Sequence, residues 1–314
     1  MEFLRLLESI RTPFLDRLMQ GISYLGEELV FLVVALTIFW CVSKRMGYYV
    51  LSVGFFGTLL SQFLKLVFRV PRPWVADPEF TIVESARAGA SGYSFPSGHS
   101  QNAAGTFGSI ARCGKRLWLR VGLIVLSLLV GFSRMYLGVH TPLDVAVGLG
   151  MSVVFVLAFY PLMMRGEQKR RTMPILMAVM LLCSVGYLLY VHLIPFPDGA
   201  DSFNFTDGTK NGWSLLGALL ALCVTYAADE RKLRFDVRAP LPGQLLKVLL
   251  GLLCLLGIRS GLKALFALFS DALFLNGVRY FCMVLFAGAV WPLTFPLFQK
   301  IGAKKNQPST DTTR

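Results

Sequence analysis

Apolar residues run along this chain in long blocks separated by short polar connections, and a bilayer crossing needs about 20 mostly apolar residues in a row. Nine crossings are predicted: Leu25–Val42, Tyr48–Phe68, Ser97–Cys113, Leu117–Leu137, Leu143–Met164, Pro174–Ile194, Trp213–Ala228, Leu245–Phe269 and Tyr280–Phe298. The third is short and carries Ser100, Gln101, Asn102 and Thr106, so hydropathy alone does not find it. The alternation of charge between connections demands it. Basic clusters recur at Lys44 and Arg45; at Arg112, Lys115, Arg116 and Arg120; at Arg165, Lys169, Arg170 and Arg171; at Arg231, Lys232, Arg234 and Arg238; and at Lys300, Lys304 and Lys305. Every second connection is basic, which predicts that this set faces the cytoplasm, with the N-terminus outside and the C-terminus inside.

Ahead of the first crossing, Phe3, Leu7, Ile10, Phe14, Leu18 and Ile22 recur at helical spacing with Arg5, Glu8, Arg11 and Asp16 between them. That pattern suits an amphipathic helix lying in the membrane interface, broken or restarted at Thr12-Pro13. The expected architecture is an all-α polytopic transmembrane helix bundle of about nine spans. Its organisation is an interfacial helix over 1–22, a five-span core over 23–172, additional transmembrane helices over 173–301 and a polar, disordered tail over 302–314. No internal repeat and no separate soluble domain is read.

Composition agrees: 55% of residues are hydrophobic and 16% charged, against about a quarter charged in soluble domains, and mean hydropathy is +0.60. The formal net charge of +13 sits in short loop clusters, a membrane-topology signature and not a nucleic-acid surface. The six cysteines (Cys41, Cys113, Cys183, Cys223, Cys254, Cys282) show no paired spacing and read as packing residues, with neither disulfide framework nor zinc site. No removable signal peptide is read at the N-terminus.

Against this apolar background three short motifs carry chemistry: Lys65 with Arg72-Pro73; Pro96-Ser97-Gly98-His99; and Ser133-Arg134 followed by His140 and Asp144. Lys65, Arg72 and Arg134 are cations at helix ends, and a guanidinium grips phosphate oxygens through parallel hydrogen bonds. Ser97 and Gly98 open a helix, where free backbone N–H groups favour an anion and glycine permits close approach. Two of the three histidines fall in the motifs, and imidazole titrates near neutrality, at about 6.5. Asp144 lies four residues after His140, close enough to hold one ring nitrogen and direct the other at phosphorus. Singly, each residue has a plainer reading: a snorkelling cation, a helix cap, a packing histidine. Their joint occurrence favours a phosphate site. Two imidazoles and a carboxylate could ligate zinc, but the surrounding cations would repel it, so no metal and no cofactor is expected.

This pattern, Lys-x6-Arg-Pro, Pro-Ser-Gly-His and Ser-Arg-x5-His-x3-Asp, resembles the signature of the type 2 phosphatidic acid phosphatase superfamily, over roughly Gly47 to Leu149. The resemblance implies that His140 becomes a transient phosphohistidine, that Asp144 orients it, and that His99 protonates the leaving alcohol and later activates water. It further implies that Lys65, Arg72, Ser97, Gly98 and Arg134 bind the phosphoryl group, without a metal. The extra crossings and Val278-Arg279-Tyr280-Phe281 look more like the sphingosine-phosphate phosphatase and glucose-6-phosphatase branches than the six-span lipid phosphatases.

The expected function is therefore an integral membrane phosphatase acting on a lipid phosphate monoester or diphosphate at the extracytoplasmic face of a plasma membrane. Its partners would be the lipid substrate and the bilayer, with no nucleic acid. A phosphotransferase of the same family, and a transporter or channel bundle with non-catalytic charges, remain as alternatives. Arg259 and Lys263 share one face of the eighth crossing and are candidates for substrate contact or for pairing with Asp271; snorkelling is the competing reading. His192 reads as an interfacial histidine, Ala88–Phe95 as a lid or a simple entry turn, Asp198, Asp201 and Asp207 as a solvated acidic loop, and Asn204-Phe205-Thr206 as a glycosylation triplet.

Overall fold

Thr12 accepts a hydrogen bond from the Leu15 N–H and Pro13 follows it, so the restart expected there is an N-cap followed by proline in the first turn. The computed structural model describes residues 1–164, 169–194 and 202–302; the side chains of 169–171 lie outside that description, as do the expected tail beyond residue 302, Arg165, Asp198 and Asp201. Every regular element among the described residues is helical. Two short helices, α1 (Glu2–Ser9) and α2 (Pro13–Tyr24), lead into α3 (Glu28–Thr37), which a π-type turn prolongs to Val42. They are followed by α4 (Lys44–Phe68), the one-turn α5 (Pro73–Ala76), α6 (Gly98–Cys113), α7 (Leu117–Tyr136) and α8 (Pro142–Met164). The remainder comprises α9 (Lys169–Leu193), α10 (Ser202–Ala228), α11 (Leu241–Ala267), α12 (Phe274–Leu285) and α13 (Phe295–Lys300).

Seven helical segments of the described chain are long and apolar enough to cross a membrane, or eight if α2 and α3, bent by 46°, count as one span. The expected nine exceeds the seven by the Leu25–Val42 crossing, present only if the bent pair is counted, and by α6. Its 16 residues rise about 24 Å, short of the roughly 30 Å hydrocarbon core. It is polar because it is the centre of the bundle, packed by α4, α7 and α8, with Ser100, Gln101, Thr106 and Ser109 all buried in protein.

Two boundaries move outward: α10 starts at Ser202 and not at Trp213, and α12 at Phe274 and not at Tyr280. Asp207 consequently lies on α10, partly buried, and not in a solvated loop. The last crossing is not a continuous helix. Pro292 and Pro296 remove backbone donors, and the chain between α12 and α13 runs through a π-type turn and a 3-10 turn. Helix association in lipid depends on close packing, and small residues allow it. At the α10–α12 crossing, a Cβ on Gly217 would stand 1.9 Å from the Gly277 carbonyl oxygen.

The bundle has two chemically distinct ends. At one, Lys44 pairs with Asp229 at 2.8 Å, Arg45 donates to the Met163 carbonyl, Arg112 lies 4.0 Å over the Tyr160 ring, and Lys247 donates to the carbonyls of Trp40 and Val237. All three sequence motifs lie at the other. α4 links the two, starting at Lys44 and carrying Lys65 in its last turn.

The N-terminal helices cover the motif-bearing end. Leu4 packs with Phe80 and Ile82; Arg5 pairs with Asp77 at 2.7 Å; Arg11 donates to the Thr81 carbonyl at 2.8 Å and the Tyr136 carbonyl at 3.0 Å. Their opposite face leaves Phe3, Leu6, Ile10, Phe14 and Leu18 exposed.

Candidate active site

Each motif is positioned by a local structure that its own residues dictate. Thr141 and Asp144 form a reciprocal cap at the start of α8: the Asp144 N–H donates to Thr141 Oγ1 at 3.3 Å, and the Thr141 N–H donates to Asp144 Oδ2 at 2.8 Å. Pro142 occupies the intervening first turn. The cap holds the carboxylate beneath His140, whose Nδ1 is 3.5 Å from Asp144 Oδ2. Asp144 is thus part of a helix cap as well as the carboxylate that faces the imidazole. Ser94 Oγ donates to Asp144 Oδ2 at 2.5 Å.

Ser97 caps α6, accepting from the Ser100 N–H at 3.4 Å and the Ser100 hydroxyl at 2.9 Å. Its own N–H donates to the Asp144 carbonyl at 3.0 Å, which ties the second motif to the third. Gly148 permits that approach, since a Cβ there would sit 2.6 Å from the Ser97 carbonyl oxygen. At Gly98 a Cβ would meet nothing within 4 Å, so the space before the first turn of α6 is open to a ligand. The His99 imidazole lies beside Gly89, with Nε2 3.8 Å from where a Cβ on that residue would be.

The three cations converge on the connection between α5 and α6. Arg72 donates from Nε to the Gly92 carbonyl at 3.0 Å, from Nη2 to the Ser91 carbonyl at 2.7 Å and from Nη1 to the Val139 carbonyl at 2.9 Å. Gly92 has φ +70°, a region glycine enters without penalty. Lys65 donates to the Tyr93 carbonyl. Arg134, 1% exposed, donates to Ser23 Oγ at 2.7 Å and to the Gly89 carbonyl at 3.3 Å. Its Nε is buried without a partner, a donor available to a ligand oxygen.

Arg72 Nη1 also lies 2.9 Å from His140 Nε2. A guanidinium can only donate, so Nε2 carries the lone pair and Nδ1 carries the proton that faces Asp144. Burial, then the charges of Arg72, Arg134 and Lys65, hold the His140 imidazole well below its ordinary pKa. It is neutral at pH 7, with its basic nitrogen turned toward the guanidinium.

Lys65, Arg72, Ser97, Gly98, His99, Arg134, His140 and Asp144 therefore share one end of the bundle and are linked through residues 89–97 and 139–144. Arg259 and Lys263 do not join them. Arg259 lines a separate cavity with Glu28, and Lys263 is exposed on α11. His192 stays outside the site, its Nδ1 2.8 Å from the Leu188 carbonyl. Reading the sequence missed Ser23, Ser94 and Thr141. Thr141 had a signal, as a capping residue three positions before an acid; Ser23 meets Arg134 across more than a hundred residues and had none.

Residues 45–168 match the PAP2 superfamily, and residues 213–305 match the PAP2 superfamily phosphatase transmembrane extension. A probable sphingosine-1-phosphate phosphatase of Dictyostelium discoideum is 34% identical over 48% of this chain, an alignment that spans only 39% of that relative. Phosphatidylglycerophosphatase B of Bacillus subtilis is 32% identical over 46% of this chain and 73% of its own length. The crystal structure of Aquifex aeolicus LpxE superposes with a TM-score of 0.43 at 27% identity, covering 50% of this chain and 92% of that one. On the strength of the matched segments and of the relative aligned over most of its length, this chain belongs to the PAP2 superfamily.

Proposed function

We propose that this protein is an integral membrane phosphatase that hydrolyses a lipid phosphate monoester or diphosphate through a phosphohistidine at His140. The observation that carries the reading is the Arg72–His140–Asp144 arrangement: a fixed cation at the nucleophilic nitrogen and a carboxylate at the other. A phosphate entering between Arg72 and His140 replaces Nε2 as the acceptor of the guanidinium N–H and frees the lone pair for attack on phosphorus. Lys65, Arg72, Arg134 and the N–H groups at the start of α6 neutralise the nonbridging oxygens as the P–O bond to the alcohol breaks. Asp144 stabilises the charge that develops on the ring. His99 donates a proton to the leaving oxygen, then takes one from the water that hydrolyses the phosphohistidine.

The relatives named as acting on sphingosine 1-phosphate and phosphatidylglycerophosphate support a lipid substrate. So does a site at the end of an apolar bundle, where a lipid keeps its chains in the bilayer while its phosphate reaches the cations. The separation of the basic end from the motif-bearing end, with the positive-inside rule, supports an extracytoplasmic site, a cytoplasmic C-terminus and α6 as a short ninth crossing. The exposed apolar face of α1 and α2 supports their lying in the outer interface.

The test is phosphate release from a panel of sphingoid-base phosphate, phosphatidate, phosphatidylglycerophosphate, polyprenyl diphosphate and a soluble sugar phosphate, with purified protein and no added metal. Wild type is expected to release phosphate from at least one lipid, and His140→Ala to release none while still binding it. Equal release by the two proteins would overturn the assignment.

A further inference from the structure

Apart from the phosphate site, the bundle contains a cavity of about 290 Å³ enclosed by α3, α4, α10, α11 and α12. Its lining is graded. The charged and amide-bearing lining residues lie toward the motif-bearing end, Glu28 at the start of α3, Gln62 near the end of α4, Asn211 in the first half of α10 and Arg259 late in α11, with the Tyr280 phenol at the middle of α12. Farther from that end the wall is mostly apolar, with Leu36, Phe39, Leu51, Leu222 and Ala287, and the Thr225 hydroxyl is its one polar group there among the described residues. Leu29 and Leu256, also in the wall, are 48% and 47% exposed. A chamber polar at one end, apolar along its depth and open at its wall has the form of an amphiphile.

The polar end adjoins the phosphate site. Gln62 precedes Lys65 by one helical turn on the same face of α4. Asn211 donates to Asp207 Oδ2 at 3.4 Å, Ser91 Oγ reaches the same oxygen at 3.4 Å, and the Ser91 carbonyl accepts from Arg72. Thus the cavity wall and the guanidinium at His140 belong to one hydrogen-bonded line. In volume the cavity lies near the lower end of small-molecule sites, roughly 300 to 1,000 Å³, and exceeds a cavity of about 150 Å³ that accepts a benzene ring. It is the right size for a length of one hydrocarbon chain and too small for two.

We infer that this cavity receives the hydrocarbon chain of a single-chain lipid phosphate whose headgroup is cleaved at His140, an inference that rests on the phosphatase reading above. The transmembrane extension, which supplies α10, α11 and α12, then has a direct part in substrate selection. Glu28 and Arg259 stand at the level of the polar groups next to the phosphate, and the chain follows the apolar wall toward the basic end of the bundle.

The experiment fills the cavity without touching the phosphate site. Thr58→Trp and Leu252→Trp place an indole in the chamber from α4 and α11 respectively. For a long single-chain lipid phosphate kcat/KM should fall about tenfold or more, because displacing even two methylenes from an apolar pocket is worth about that factor. Butyl phosphate, too short to reach the chamber, should be turned over within about twofold of wild type. Long-chain turnover unchanged in both variants, or equal losses on both substrates, overturns the inference.

A second measurement does not need turnover. A lipid phosphate with a diazirine at mid-chain, bound to His140→Ala protein, should label peptides of α3, α10 or α11, and Leu252→Trp should abolish that labelling. Labelling that persists in both tryptophan variants, or equal labelling by the same chain without phosphate, overturns it in favour of a surface or structural lipid. If wild type releases phosphate from no lipid, the phosphatase reading fails, and the labelling result still judges the cavity separately.

Discussion

Replacing Arg72 by lysine separates charge from geometry at the centre of the site. The guanidinium has five N–H donors, and the Ser91, Gly92 and Val139 carbonyls together with His140 Nε2 engage four of them. Lysine keeps the positive charge but offers one nitrogen, which cannot satisfy carbonyls on residues 91, 92 and 139 while also meeting a phosphate oxygen at His140. Ser91 is exposed and Gly92 partly so, and their carbonyls can take up water, so the stability cost is modest. The transition state, in contrast, loses one or two charge-assisted hydrogen bonds worth about 1.5–3 kcal/mol each. A net loss of about 2–4 kcal/mol corresponds to a fall in kcat/KM of roughly 30- to 900-fold. The assay is phosphate release from the preferred lipid, with thermal unfolding run in parallel. A variant that unfolds like wild type and keeps kcat/KM within about tenfold would show that charge alone suffices and would refute the forked-donor argument.

Further outcomes follow from neighbouring residues. Because the His140 imidazole is held below its ordinary value, protonation that removes the nucleophile occurs only at more acid pH. The acid limb of kcat/KM should therefore lie below about 6.5; a limb at or above that value would contradict the arrangement of cations around the ring. Gly148→Ala puts a methyl against the Ser97 carbonyl and should lower stability by about 1–3 kcal/mol, with loss of activity as the Ser97–Asp144 link opens; an unchanged melting temperature would refute the close approach. Lys263→Ala, remote from the site and exposed, should leave phosphate release within about twofold of wild type, and a large loss would restore it as a substrate contact. Phosphate release should persist in EDTA, since Lys65, Arg72 and Arg134 supply the charge neutralisation, and inhibition reversed by added metal would show that they do not suffice.

The three motifs were legible because catalytic residue types are rare in apolar sequence and their spacing reflects local structure, as with His140, Thr141 and Asp144 at one helix start. Charge alternation asks for a segment where the helix α6 lies, and hydropathy misses it because its polar side chains face protein. What could not be read depends on contacts between distant segments. Ser23 reaches Arg134 only because α2 folds back over the motif-bearing end, and Asp207 reads as loop because nothing local shows that α10 begins five residues earlier. The cavity was equally invisible: its walls come from five helices, and its volume results from how they fail to meet. Arg259 stands out in the sequence as an intramembrane cation, but only packing puts it on the cavity wall with Glu28 and not at the phosphate site.

The peptide oxygens that hold Lys65, Arg72 and Arg134 have a bearing on which anions would compete for these cations. They are dipoles and not charges, so they steady three positive groups without cancelling them. A monatomic anion can offer its charge to one or two of these groups but cannot span them. A tetrahedral oxyanion reaches several donors at once, including the unpaired Arg134 Nε, and so competes where chloride cannot. On the phosphatase reading proposed above, this donor set favours a phosphate group over a halide.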